Sequence, residues 1–392
     1  MPSPQPNFTI TFGGWYQRTT LHLSEIYDLF ALGHSGLKLD KTILQNLHRK
    51  LDFVSVTREW GELEYIKCLT GKGIEVRYYE DGLYVLIFNS THIVTGQKML
   101  RDYYDECLSP AISYIFSLGA PTPKVLANIK QDHPTVVSAV TSTPKTFFAK
   151  LKFGPVYSQI LSPDLSVYKT PAHIVILSKS SSQDVTKLIE MQIFFREFKD
   201  QLHRYLNLHR EIWEEISDIK ERGSIAGKEV ETLRARLDSY QKTINLIKSR
   251  LNQMGTYVRT RASIAKKLEL EDKLASVFQY KFETLSNTHS YVQDIWKMTQ
   301  DYVDTAIQVI NEVKSLSTSN GINSLRLITT IGVLSGIFTY LSKDQFPTFT
   351  LIGLWYFLVL VLGTWIINQI VTTAFRSIHY RLKFTQNIGI KS

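Results

Sequence analysis

The last quarter of the chain, from about Gly321 to Phe375, restricts the possible folds more than any other stretch. It holds two apolar runs, Leu325–Leu341 and Pro347–Phe375, parted only by the polar insert Ser342-Lys343-Asp344-Gln345-Phe346. From Phe349 the second run reads FTLIGLWYFLVLVLGTWIINQIVTTAF, without a charged residue. As a helix it would be about 40 Å long at 1.5 Å per residue, more than a ~30 Å hydrocarbon core requires. The first run has 17 residues. At about 25 Å, it would span only as the end of a helix entering from the polar side. The pair is expected to form a transmembrane hairpin with spans near 325–341 and 348–374; the competing reading is a buried core hairpin.

Charge supports an orientation for such a hairpin. Arg376, Arg381, Lys383 and Lys391 follow the second run with no acid among them, and Lys314 and Arg326 precede or open the first. The positive-inside rule then predicts a multi-pass protein of the inner or plasma membrane, with both termini cytoplasmic and only the short insert outside. This accounts for part of the net charge of +9, from 45 basic and 36 acidic residues, so no nucleic-acid partner is expected. The opening MPSPQPNFTITF has no basic segment followed by an apolar one, hence no secretory signal is read. Two cysteines, Cys68 and Cys107, are too few for a disulfide framework and suit a reducing compartment.

Proline marks the main boundary. Eleven of the twelve prolines occur by Pro171, and the twelfth is Pro347, leaving a long stretch free to form uninterrupted helices. Residues 1–182 are expected to form a cytoplasmic α+β or α/β domain. Its strands would include Phe8–Phe12, ended by a turn or bulge at Gly13-Gly14, and Glu62–Leu69. Ile74–Tyr79 and Leu83–Phe88 read as a hairpin through Asp81-Gly82. Ser24 is read as an N-cap, Gln97–Leu118 as a helix broken at Pro110, and Thr135–Thr141, Pro155–Leu161 and His173–Leu177 as further strands.

Residues 183–322 are expected to form a stalk of long coiled-coil helices. In the first, Ile189, Ile193, Phe198, Leu202, Tyr205, Ile212, Ile216 and Ile219 recur at helical spacing. The second carries Val230, Leu233, Leu237, Tyr240, Ile244, Ile247, Leu251, Met254 and Val258, an unbroken alternation of three- and four-residue steps. A third seam runs from Phe278 to Val313, interrupted by His289 and Thr299, which predicts looser packing there or several packing partners. The hairpin (323–375) and a basic tail (376–392) complete the predicted domains.

An α/β domain, long helices and a final helix entering the first of two C-terminal spans resembles the CorA family of two-span divalent-metal transporters. Gly336-Ile337-Phe338 stands where that family has Gly-Ile-Tyr, and Pro347, Trp355 or Tyr356, and the basic tail also match. The resemblance implies a homo-oligomer, a pentamer, whose first span lines a pore for Mg²⁺ or another divalent cation, transported or regulatory. No other cofactor is required. The Gly-Met-Asn signature is missing, and Thr339, Tyr340 and Leu341 occupy its place. Two functions follow: a CorA-like membrane channel or transporter gated by its cytoplasmic domain, or a non-transporting, signal-gated effector of the antiphage type. In the second, the N-terminal domain would bind a small ligand.

Helical spacing places Asn323, Thr330, Val333, Ile337 and Tyr340, joined by the hydroxyl of Thr329, on the expected pore stripe. Gly332 and Gly336 form a small-xxx-small packing pattern, and Asp344 is the only acid of the outer loop. The acidic stretch Glu211, Glu214, Glu215, Asp218 and Glu221 offers oxygen ligands, but such a run reads first as a solvated helix face. No phosphate-binding loop, dinucleotide fingerprint, nucleophile elbow or zinc-protease motif occurs, so catalysis is not expected.

Overall fold

The structure, a computed structural model, describes residues 7–16, 22–116, 134–179 apart from 150 and 152, 183–341, scattered positions within 355–373, and 377–382. The chain divides into two compact units, each discontinuous in sequence: residues 1–208 with 246–294, and 209–245 with 295–392.

The first unit is built on nine strands: β1 (Phe8–Trp15), β2 (Phe53–Trp60), β3 (Glu64–Thr70), β4 (Glu75–Tyr79), β5 (Leu83–Ser90), β6 (Thr135–Val140), β7 (Ser158–Leu161), β8 (Leu165–Lys169) and β9 (His173–Ser178). They form one sheet in the order β2-β3-β4-β5-β1-β6-β9-β8-β7. The β6–β9 pair is parallel and the other pairs are antiparallel. Alternation along the strands gives the sheet two apolar faces. Cys68, Val76, Leu86, Val137 and Val175 share one core with Leu29 and Phe30 of α1 (Leu23–Leu32), Leu44 of α2 (Lys41–Leu51), Leu100 of α3 (Ile93–Tyr103) and Ile112 of α4 (Ser109–Ile115). On the opposite face, Arg77 of β4 reaches Glu190 of the first long helix, α6 (Gln183–Glu221).

The Asp81-Gly82 hairpin forms as expected, joining β4 to β5 with Tyr78 opposite Tyr84. Gly13-Gly14 does not end its strand. Both glycines lie inside β1, opposite Val85 and Tyr84, because a Cβ at Gly13 would meet the Tyr84 carbonyl at 2.6 Å and one at Gly14 would strike the Tyr84 hydroxyl. Glycine here serves close approach of two strands rather than a turn. Ser24 is not the cap of α1, whose N-cap is His22; its backbone N–H donates to the Glu25 carboxylate at 2.5 Å. At Pro110 the chain does not break. A π turn over Tyr104–Leu108 precedes α4, which puts the proline in the first helical turn, where its missing N–H costs nothing.

The three predicted seams are buried. The second long helix, named in chain order after α5 (Pro144–Ala149), is α7 (Val230–Lys267). Its seam positions are buried except Tyr240, which is half-buried and accepts from Arg236 at 3.1 Å. After the short α8 (Glu271–Lys273) comes the third, α9 (Phe282–Leu341), 60 residues long and uninterrupted at Gly321. His289 and Thr299 do not loosen its packing, since both are buried with their polar atoms satisfied. His289 Nε2 lies 2.7 Å from the Leu251 carbonyl, and Thr299 Oγ1 donates to the Ile295 carbonyl at 2.9 Å. In the second unit, Trp213 stacks on Tyr302 at 4.7 Å and Gln241 donates to Asp304 at 2.7 Å. There β10 (Ser224–Ala226) pairs antiparallel with β11 (His379–Arg381).

The transmembrane hairpin is corrected. Among the described residues, no helix is long and apolar enough to cross a membrane. The apolar end of α9 is the 17-residue stretch 325–341, at the short end of the roughly 17–25 residues a span takes. It also carries Arg326 and the hydroxyls of Thr329, Thr330, Ser335 and Thr339. Most of the second run, the whole insert with Asp344, and most of the basic tail lie outside the described residues. With the hairpin go the location calls built on it: a membrane location, multi-pass topology and cytoplasmic termini.

Candidate functional site

The expected pore stripe does not assemble into a site within this chain. Asn323, Thr329, Thr330 and Val333 are exposed along α9. The hydroxyls of Thr329 and Thr330 donate to their own helix, at 2.8 Å to the Leu325 and Arg326 carbonyls, which is the ordinary behaviour of threonine inside a helix. A Cβ at Gly332 or Gly336 would meet nothing within 4 Å, so no neighbouring backbone uses those glycines here. The side chains of Ile337, Thr339, Tyr340 and Leu341 lie outside the described residues, as does Asp344. Among the described residues, no group of three or more His, Cys, Asp or Glu side chains is placed to hold a metal ion. From the acidic stretch, Glu215 pairs with Arg236 at 2.9 Å.

Topology supplies a different site. Strands β6 and β9 run parallel in register from Thr135↔His173 to Val140↔Ser178, so their carboxyl ends lie side by side. The β7–β8 turn reaches the same end, because Leu165 pairs with Ser178. In sheets with parallel strands, ligands collect where the chains leave such ends. A cleft of about 540 Å³ lies there, lined by Thr143, Pro144, Lys145, Thr146, Leu161, Ser162, Pro163, Ser166 and Lys179. That volume falls within the range of small-molecule sites, roughly 300–1,000 Å³.

Backbone hydrogen bonds hold the rim. Thr141 N–H donates to the Ser178 carbonyl at 2.8 Å, and Lys179 N–H donates to the Asp164 carbonyl at 3.2 Å, fixing the exits of β6 and β9. The Ser162 hydroxyl accepts from Leu165 N–H at 3.2 Å and donates to the Leu165 carbonyl at 2.9 Å, closing the turn on itself. Thr146 Oγ1 donates to the Thr143 carbonyl at 3.1 Å. Lys145 and Lys179 are exposed and have no acidic partner among the described residues. Among the described residues, no His, Cys, Asp or Glu lines the cleft. Such a lining can bind through charge and hydroxyls but offers no carboxylate or imidazole for proton transfer.

Elsewhere in the same unit a buried ionic lock ties α7 to the β4–β5 hairpin. Arg261 makes a bidentate pair with Asp81, Nε to Oδ2 at 2.6 Å and Nη2 to Oδ1 at 3.0 Å, with both side chains almost fully buried. The guanidinium lies over the rings of Tyr79 and Phe194 at 4.9 and 5.2 Å. Burial opposes its charge, but the Asp81 carboxylate outweighs that and holds the Arg261 pKa above its ordinary value. Asp81 also accepts from Leu83 N–H at 3.2 Å, while its carbonyl accepts from Trp15 Nε1 at 2.6 Å. One residue thus serves turn, sheet and helix, its carboxylate taking Leu83 and Arg261 and its carbonyl taking Trp15.

Sequence reasoning reaches Asp81-Gly82 as a turn and misses both the cleft and the lock. The cleft residues are scattered from 143 to 179 and carry no motif; only the β6–β9 register brings them together.

No family model matches the chain, and no curated protein matches it. Among solved structures, that of the full-length CmaX protein matches over 65% of this chain and 93% of its own, at 12% identity and a TM-score of 0.25. A likeness at that level supports neither a shared activity nor a shared site, and what the chain can do is read from its own residues.

Proposed function

We propose that this chain is a CorA-like, ligand-responsive effector that binds a small molecule without transforming it and acts as a homo-oligomer. The observation that carries the reading is the cleft at the carboxyl ends of β6 and β9. It joins a mixed apolar and hydroxyl-bearing lining, free of acids among the described residues, to two interior strands of the sheet. A ligand bridging the exits of β6, β9 and the β7–β8 turn would stiffen three segments that meet only there.

Self-association is supported by the large apolar side chains exposed along α9. Leu316, Ile322, Leu325, Ile331, Val333 and Leu334 are each about half exposed in the single chain. Apolar surface of that extent normally marks an interaction site.

A thermal-shift screen of the full chain against chemically varied small molecules tests the binding reading. At least one compound should raise the melting temperature of the parent. The same compound should fail with Leu161→Trp, which fills the cleft from an exposed position. No stabilising compound, or stabilisation indifferent to Leu161→Trp, would overturn the reading.

A further inference from the structure

The chemistry of the lining narrows the ligand class, provided that the cleft is a binding site as just proposed. We infer that the cleft takes a small organic phosphate, its phosphate held by Lys145 and Lys179 and its organic part against Leu161, Pro144 and Pro163. The lining brings Lys145 and Lys179 together with the hydroxyl residues Thr143 and Ser166, with no acidic residue among its described members, while the hydroxyl protons of Thr146 and Ser162 are already donated within the rim. An unneutralised pair of lysines at the mouth of one cleft favours an anion.

The type of donor distinguishes among anions. A planar carboxylate is matched best by the fork of an arginine, and no arginine lines the cleft. Ammonium and hydroxyl donors can converge from several directions on a tetrahedral group, and lysine is a familiar point-charge partner of phosphate. Inorganic phosphate alone would leave the apolar part of the lining uncovered. A space of about 540 Å³ is also several times what a bare phosphate needs. The size and the mixed lining both point to a phosphate ester carrying an organic group.

Lys179 and Ser166 are fixed by the sheet: Lys179 directly follows β9, and Ser166, which is buried, lies in β8 opposite Leu177. Lys145 stands on the short α5 across the cleft. The phosphate would therefore bridge a rigid side and a separately built one.

Calorimetric titration of the full chain with adenosine, adenosine 5′-monophosphate and inorganic phosphate tests the assignment. The monophosphate should bind at least tenfold tighter than either adenosine or inorganic phosphate. Its affinity should fall at least tenfold in Lys145→Ala/Lys179→Ala and weaken steadily between 50 and 300 mM salt, as exposed charges are screened. The double variant should melt with the unliganded parent, because neither lysine has an acidic partner among the described residues. Equal binding of nucleoside and nucleotide, or an affinity unmoved by the double substitution, would overturn the phosphate assignment. If that binding were still lost in Leu161→Trp, the cleft would stand as a site for another ligand class. Tight binding of inorganic phosphate alone would overturn the organic part, and no binding by any probe would overturn the assignment altogether.

Discussion

Single residues in the long helices show how closely the packing is drawn. Gly255 lies in α7 where an added Cβ would come within 2.9 Å of His289 Cε1. In an open helix Gly→Ala gains about 1 kcal/mol, whereas forcing an atom into a filled core costs about 1–3 kcal/mol. The imidazole cannot retreat without giving up its bond to the Leu251 carbonyl, so the clash should dominate. Gly255→Ala is expected to destabilise the fold by about 1–2 kcal/mol in urea denaturation; a gain in stability would mean the ring moves freely.

His289 itself sets a pH dependence. Burial lowers its pKa below the ordinary 6.5, partly opposed by the Leu251 carbonyl, with Arg259 adding to the lowering. His209 and His173 are lowered by burial too, with Arg210 and Arg101 in the same sense. The unfolded chain therefore takes up protons near pH 6.5 that the folded chain refuses. Their stabilising contribution is complete above that pH and is lost as the pH falls through the lowered values. Denaturation midpoints measured from pH 7.5 to 5.5 should fall, and His289→Gln, which keeps a donor for Leu251, should fall less steeply. Burial raises the Glu197 and Asp200 pKa values, which acts in the opposite sense at lower pH. The comparison with His289→Gln isolates the imidazole.

At the scale of elements, the ionic lock between α7 and the β4–β5 hairpin is the contact most sensitive to change. Removing one member of a buried pair leaves the other charged and unpaired, at about 3–5 kcal/mol. Asp81→Ala should cost about that much, and more than Lys267→Ala. The Lys267–Glu62 pair, at 3.1 Å, is largely exposed, and such pairs contribute about 0–1 kcal/mol. In Asp81→Ala/Arg261→Met much of the loss should return, since no charge is then stranded; an additive double-mutant cycle would refute the coupling.

Elements also show what the residues disclose without a structure. The heptad seam of α7 is legible because one face of a helix must be apolar to be buried, and the Asp-Gly hairpin because few turns suit such residues. Strand β2 escapes notice because it is an edge strand, with Val54 and Trp60 exposed, so its alternation is blurred. The parallel β6–β9 pairing is silent in the sequence, since nothing local encodes which strands become neighbours. The cleft, which depends wholly on that pairing, is silent with it. The apolar run at 325–341 is as plain as the seams, yet among the described residues no helix is long and apolar enough to cross the membrane that its hydropathy suggests.

For the whole molecule, the exposed apolar side chains of α9 should govern self-association. Light scattering after size exclusion is expected to report a multimer of the full chain. Ile331→Lys/Leu334→Lys should move it toward monomer without lowering the melting temperature of the sheet-bearing unit. A monomeric parent would remove the oligomer from the functional proposal. The two compact units are each assembled from separated stretches of sequence, so neither can be obtained as one continuous fragment. The same interleaving bears on synthesis. Arg261 is added 180 residues after Asp81, and at ~5–20 residues per second the carboxylate waits roughly 9–36 s for its partner. During that interval the hairpin carries a charge that the finished protein buries and the nascent one must leave in water. The sheet thus cannot close over its last face while its own strands emerge from the ribosome, and its completion is timed by the translation of a helix much further along the message.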